Sequence, residues 1–330
     1  RTRIVNCPSG LVQVTIDEIH CTQRPSCSLE EYLQSDKAQP MALGSSLFRT
    51  AIIDRKLVLT MHHAIMDHAS LTPLFGDIMS IYYGGEPAKR IEYKTFVADC
   101  LNVDDSAART FWASRFKGTT AIFPRIESGY IPEATHKVNR TITLDPKGKE
   151  LSVVHIPSFI EAAWALTAST YTGSESVAYG MVLSGRSSAA SAAAESVLGP
   201  TIALFPVQVN LQRDMTVEGI LKDRTAARRQ VQTHPALQYG LSRIRTVSDA
   251  ASIASGFQTL LNIRPRWYDP EEAADVSYED MDEPAAAFAL AITFDLQGTT
   301  VAISAASDPA VLDERQLNRV LRQFEYYLQS

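Results

Sequence analysis

Hydrophobic residues recur at two spacings, every second position in some stretches and every third or fourth in others. Strands and helices are therefore both expected along the whole chain. Residues 12–16, 47–53 and 57–62 read as strands, the last two forming a hairpin across Asp54-Arg55-Lys56. The opening Arg-Thr-Arg-Ile-Val is strand-like too and, with no initiator Met, suggests a piece of something longer. Ser28-Leu29-Glu30-Glu31 has the form of a capping box and starts a short helix. Leu71, Leu74, Phe75, Ile78, Met79 and Tyr82 share one helix face, so a helix is expected from Ser70 to Tyr83. Ser70 would be its N-cap, Pro73 sits in its first turn, and Gly84-Gly85 stops it.

Helices over 93–101 and 106–116 follow, then an irregular stretch, 118–132, with Phe123-Pro124 and Ile131-Pro132, which reads as a linker between lobes. Beyond it come a strand (138–144), an Ala-rich helix (158–171) and an apolar strand (177–183) running into Ser184-Gly185-Arg186. The Ser/Ala-rich stretch 187–196 is expected to be mobile, and the strand over 201–210 is interrupted by Pro206, which suits a bulge or an edge. A basic amphipathic helix (217–233) carries Arg224, Arg228 and Arg229. Strands over 257–263, 288–294 and 299–305, an acidic loop (269–283) and a closing helix (312–328) complete the pattern. Strands and helices mixed throughout imply α/β layers in two lobes.

Composition narrows the function more than the fold. A chain of 330 residues fits two domains or one large one. The net charge of −6 leaves no electrostatic footprint for nucleic acid. No apolar run has the length of a membrane span, and no signal-peptide pattern opens the chain. The cysteines, Cys7, Cys21, Cys27 and Cys100, form no CxxC pair and read as reduced thiols of a cytoplasmic protein.

The candidate chemistry lies between the strand 57–62 and the following helix. His62, His63, Asp67 and His68 are clustered there, on a loop held by rigid elements at both ends. A histidine can take a proton from an attacking amine or hydroxyl near neutral pH, with the Asp orienting it or pairing with a cation elsewhere. A metal site built from His62, His63, Asp67 and His68 is a second reading, weakened if the helix begins only at Ser70. Polar residues at a strand end with no chemistry are the third.

His62-His63-Ala64-Ile65-Met66-Asp67 after a hydrophobic strand resembles the HHxxxDG signature of nonribosomal peptide synthetase condensation domains. Tyr82 matches the tyrosine usually found at the end of the next helix, and Ser184-Gly185-Arg186 resembles the family's Ser-Gly-Arg. Leu198-Gly199-Pro200-Thr201 to Phe205-Pro206-Val207, His234 to Leu241 and Phe257 to Asn262 extend the likeness, the last two to fungal members in particular. The resemblance implies two chloramphenicol-acetyltransferase-like lobes in a V-shaped pseudo-dimer with a tunnel between them, here residues 1–125, lacking the first part of that lobe, and 126–330. It implies an acyltransferase in which an amine attacks a peptidyl thioester. The thioester would arrive on the phosphopantetheine arm of a carrier domain of the same synthetase, with no cofactor bound directly and no metal. By the same resemblance His63 is catalytic, His62 belongs to the motif, and Asp67 is structural and paired with Arg186. His68 stands where the family has glycine; at positive φ it would cost about 1 kcal/mol in strain. His68, Tyr82 and Trp267 are candidates to line the tunnel or touch substrate. The subtype expected is a terminal domain that releases a macrocycle. Ordinary elongation and a non-catalytic docking module are the alternatives. The region around Leu183-Ser184-Gly185-Arg186-Ser187 lacks the acidic and histidine residues typical of epimerisation domains.

Overall fold

The computed structural model describes residues 2–8, 10–16, 21–23, 27–144, 156–187, 190–192, 194–212, 214–265 and 288–330. Cα packing divides the chain into two compact units, Arg1–Arg90 with Val197–Pro200, and Ile91–Ser196 with Thr201–Ser330.

The first unit opens with β1 (Thr2–Cys7) and β2 (Gly10–Thr15), an antiparallel pair. Then come β3 (Cys21–Gln23), α1 (Leu29–Lys37), β4 (Phe48–Ile53), β5 (Lys56–Met61) and α2 (His68–Tyr82). A three-stranded sheet runs β3-β4-β5, with β3 parallel and β5 antiparallel to β4. The β4–β5 turn is two residues long, and both Asp54 (φ 49°) and Arg55 (φ 65°) are left-handed. That is the turn geometry whose twist suits a tight hairpin, reached here without glycine. The expected capping box holds α1: the Ser28 hydroxyl accepts from Glu31 N and the Glu31 carboxylate accepts from Ser28 N. Tyr32, Ala51 and Ile53 form a small apolar cluster. Beside it the buried Asp36 carboxylate accepts from Arg49 Nε and Thr60 Oγ1, each at 2.7 Å.

The second unit contains α3 (Tyr93–Leu101), α4 (Asp105–Ala113), β6 (Ala121–Ile122), β7 (His136–Thr143), α5 (Ile156–Thr172), β8 (Ser176–Leu183) and β9 (Ala203–Asn210). It continues through α6 (Val217–Thr233), a 3-10 turn (Pro235–Tyr239), α7 (Leu241–Ile244) and α8 (Asp249–Ala254). It closes with β10 (Thr259–Pro265), β11 (Leu290–Gln297), β12 (Thr300–Ser307) and α9 (Glu314–Gln329). Its seven-stranded sheet runs β6-β8-β10-β11-β12-β7, with β9 antiparallel on β8. Among the described residues β9 pairs with β8 alone, so Pro206 sits on an outer strand of the described sheet, where a missing N–H is tolerated. Residues 118–132, read from the sequence as a linker, lie in this unit, and β6 within them pairs with β8. The Ala-rich α5 packs against α6 and α9 around Trp164, Phe294 and Phe324, all buried. Trp112 of α4 joins the same core and donates from Nε1 to Ala236 O at 2.8 Å.

No helix among the described residues is long and apolar enough to cross a membrane. Cys7 and Cys100 carry free thiols, and burial, helped by the Asp99 charge, pushes the Cys100 thiol up to about 11. The acidic loop 269–283 and Trp267 lie outside the described residues.

Candidate active site

Strand pairing delivers the histidines. His62 N–H donates to Leu47 O at 2.9 Å, which carries the β4–β5 ladder one step beyond Met61. The chain then turns, with Ile65 N–H donating to His62 O at 3.0 Å. Backbone groups fix both rings. Ala64 N–H donates to His62 Nδ1 at 3.0 Å, and His63 Nδ1 lies 2.8 Å from Met66 O. An amide N–H can only donate and a carbonyl can only accept, so these two bonds select opposite tautomers. His62 carries its proton on Nε2. His63 carries its proton on Nδ1 and presents an Nε2 lone pair. Both side chains are exposed. Of the two neutral rings, only His63 can receive a proton at its outer nitrogen.

Asp67, not Ser70, is the N-cap of α2, so the helix begins at His68, two residues earlier than the sequence reading placed it. The cause is local: a carboxylate three residues before Ser70 can reach its N–H, and Asp is as good a cap as Ser. Asp67 Oδ1 accepts from Ser70 N at 2.9 Å and from Ser70 Oγ at 2.6 Å. Both residues are buried. The Ser70 hydroxyl also lies 3.0 Å from Gly199 O and accepts from Gly199 N at 3.2 Å. Ser70 thus ties the helix start to the 197–200 segment of its own unit, a link the sequence reading missed. The Asp-x-x-Ser spacing was a signal for the Asp67 cap alone. A negative group at a helix N-terminus is also favoured by the peptide dipoles.

The backbone at His68 is regular, so the strain that a positive φ would have brought does not arise. Among the described residues other than glycine, only Asp54 and Arg55 have positive φ, and His68 is a helical residue, half-buried in the first turn. Tyr82 is 78% exposed and packs edge-on against Tyr83. It lies at the far end of α2, about 21 Å along the helix from His68 at the usual rise. Arg186, in the second unit, is half-buried and donates from Nη1 to Ala194 O at 3.0 Å. The glycine before it is required. Gly185 has φ 68°, and a Cβ there would stand 1.9 Å from Thr201 O. Thr201 Oγ1 in turn donates to Ser184 O, which knits the Ser-Gly-Arg segment to the chain after Pro200. Among the described residues no group of three His, Cys, Asp or Glu side chains is placed to hold a metal ion.

A family model of the condensation domain matches residues 5–330. The chain belongs to the condensation-domain family. It is 42% identical over 336 residues to the nonribosomal peptide synthetase valB of Aspergillus terreus, covering 100% of this chain and 12% of valB. The condensation domain thus spans a small part of that relative's length. Among solved structures, the starter condensation domain of the rhizomide synthetase RzmA gives a TM-score of 0.76 at 15% identity, over 100% of this chain and 81% of that one. The epimerization domain from the third module of tyrocidine synthetase B gives 0.72 at 15%, over 100% and 83%. At such identities these likenesses establish the mixed α/β, chloramphenicol-acetyltransferase-like fold. Condensation and epimerization domains share it, so the fold alone does not choose the reaction.

Proposed function

We propose that this condensation domain joins an amine to a peptidyl thioester, with His63 Nε2 as the proton acceptor. The observation that carries the reading is the His63 Nδ1 bond to Met66 O, which leaves the outer nitrogen a base. The amine nitrogen attacks the thioester carbonyl and His63 takes its proton. The C–S bond breaks, and the proton passes on to the departing thiolate of the phosphopantetheine arm. General-base help of this kind is worth about 10²–10⁴ in rate. Holding amine and thioester together can contribute about 7–11 kcal/mol at the extreme. His62 is held in the opposite tautomer and cannot substitute for its neighbour without turning its ring.

Asp67 acts through structure, as the cap that fixes the loop aiming His63. His68 in the first turn of α2 and Tyr82 at its far end are carried forward as candidates to line the tunnel or touch substrate, with Trp267. The thioester arrives on a carrier domain of the same synthetase. The lobe division we carry forward is 1–125, bearing His63, and 126–330, bearing Arg186. Of the two modes of amide formation, we favour intramolecular release of a macrocycle, the mode that works without a downstream acceptor carrier; the fungal features are common to both.

The test offers a carrier-bound peptidyl thioester to the domain with and without an acceptor amine on a second carrier, and identifies products by mass. A cyclic product without acceptor supports macrocyclisation. A linear amide formed only with the acceptor makes it an elongation domain. His63→Ala is expected to lower amide formation by about 10²–10⁴ with an unchanged melting temperature, because the side chain is exposed. Near wild-type turnover in that variant would remove His63 from the mechanism.

A further inference from the structure

The histidine loop is fastened to its unit at both ends. At its entry His62 N–H donates to Leu47 O at 2.9 Å. At its exit the Ser70 hydroxyl reaches Gly199. Gly199 lies in a four-residue segment, Val197–Pro200, that packs with the first unit although the chain on either side of it belongs to the second. Ser70 is wholly buried, and its hydroxyl has one proton to give. Asp67 Oδ1, a carboxylate oxygen at 2.6 Å, is a stronger acceptor than Gly199 O at 3.0 Å, so the proton goes to Asp67. The hydroxyl oxygen then accepts from Gly199 N–H at 3.2 Å. One side chain therefore relays the position of Gly199 to the Asp67 carboxylate. Gly199 is itself a fixed point: its φ is 147°, a conformation that a residue with a Cβ seldom adopts.

Asp67 is held by its side chain and also by its carbonyl, which accepts from Ser70 N–H at 3.0 Å. Met66 C=O and Asp67 N–H share one peptide plane, so holding Asp67 sets the direction in which Met66 O points. That oxygen is the acceptor for His63 Nδ1 at 2.8 Å. From this we infer that Ser70 is a positioning residue. Anchored on Gly199, it holds Asp67, and through the shared peptide it holds the Met66 carbonyl that keeps the His63 proton on Nδ1 and leaves Nε2 free to accept. Its effect on the ring stands by itself; its effect on rate rests on the reading of His63 as the proton acceptor.

The test uses the 330-residue chain with ring-¹⁵N histidine, whose nitrogen shifts report which atom carries the proton. His63→Ala assigns the signals by deleting one set of seven. At about pH 8 the unsubstituted protein is expected to show the Nδ1–H tautomer at His63, and Ser70→Ala a mixture with a large share of Nε2–H. With carrier-bound thioester as substrate, kcat of Ser70→Ala should fall about ten- to a hundredfold at nearly unchanged KM, the cost of a reacting group that is misaimed and not removed. Ser70→Thr, which keeps the hydroxyl, should restore both the tautomer and kcat. Ser70→Cys fills the same space with only a weak donor, should fall between, and gives the reading if Ser70→Ala does not fold. A purely structural cap would lower the melting temperature and leave the His63 tautomer as it was. An unchanged tautomer therefore overturns the inference whatever the rate, and so does an Nε2–H tautomer in the unsubstituted protein. A changed tautomer with full turnover, in Ser70→Ala and in His63→Ala alike, would leave Ser70 in control of the ring and remove His63 from the chemistry instead.

Discussion

The two units are held together by different means. Among the described residues, one apolar cluster of the first buries Tyr32, Ala51 and Ile53, with Cys27, Leu29, Leu33 and Val58 partly buried against it. Its order comes from buried polar links: Asp36 with Arg49 and Thr60, and Asp67 with Ser70 and Gly199. The second unit wraps Trp112, Trp164, Phe294 and Phe324 into one continuous core and places its buried charges inside it. Apolar packing is close to non-directional, whereas a hydrogen bond fixes an angle as well as a distance. The histidine loop sits in the unit that relies on directional bonds, which is what aiming a ring requires. The large core supplies mass and stability to the other.

The comparison breaks most visibly at Glu161. Removing it as Glu161→Ala leaves Arg228 and Tyr179 facing each other in the core without their shared acceptor. The expected cost is about 3–5 kcal/mol, read by urea denaturation. A cost near that of a surface change would mean that water already screens the cluster. Asp67→Ala should cost less, about 1–2 kcal/mol, because it removes a cap and leaves Ser70 with fewer partners. Asp67→Asn should recover much of that. The pairing with Arg186 implied by the family resemblance is decided by a double-mutant cycle with Arg186→Ala, where a real pair gives about 0.5–3 kcal/mol of non-additivity. A stable but inactive Asp67→Ala protein would instead give the carboxylate a direct role in the chemistry.

Smaller effects sharpen the same contrast. Replacing the left-handed Asp54-Arg55 pair by Asn-Gly should stabilise the first unit by about 1 kcal/mol, since both φ values are positive and glycine adopts them freely. A melting curve measures it. Cys100 should resist alkylation at pH 8: with its thiol raised to about 11, the reactive thiolate is scarce until the pH climbs towards that value. Mass spectrometry after a timed iodoacetamide pulse reads the extent, and rapid labelling at pH 8 would mean the segment opens.

What the sequence made legible follows from the range of the interactions. The β4–β5 hairpin, the α1 capping box and the amphipathic face of α9 are written in residues a few positions apart, and they appear where the pattern placed them. The loop's identity was legible for the same reason, as six consecutive residues. The start of α2 was misplaced by two residues because Asp67 and Ser70 are both good caps, and only the folded backbone shows which one accepts. The bond from Ser70 to Gly199 spans 129 positions, and that from Glu161 to Arg228 spans 67. No periodicity carries such pairs. Segment 118–132 holds more than its prolines suggest, since two of its residues, Ala121 and Ile122, add a strand to the large sheet.

The bond between His63 Nδ1 and Met66 O has one more consequence. A carbonyl has no proton to give or take, so that side of the ring stays the same whether His63 is neutral or charged. A proton arriving at Nε2 can leave only from Nε2. Uptake from an amine and delivery to a sulfur would then run through a single atom, with the reactants changing places before a ring that never has to turn.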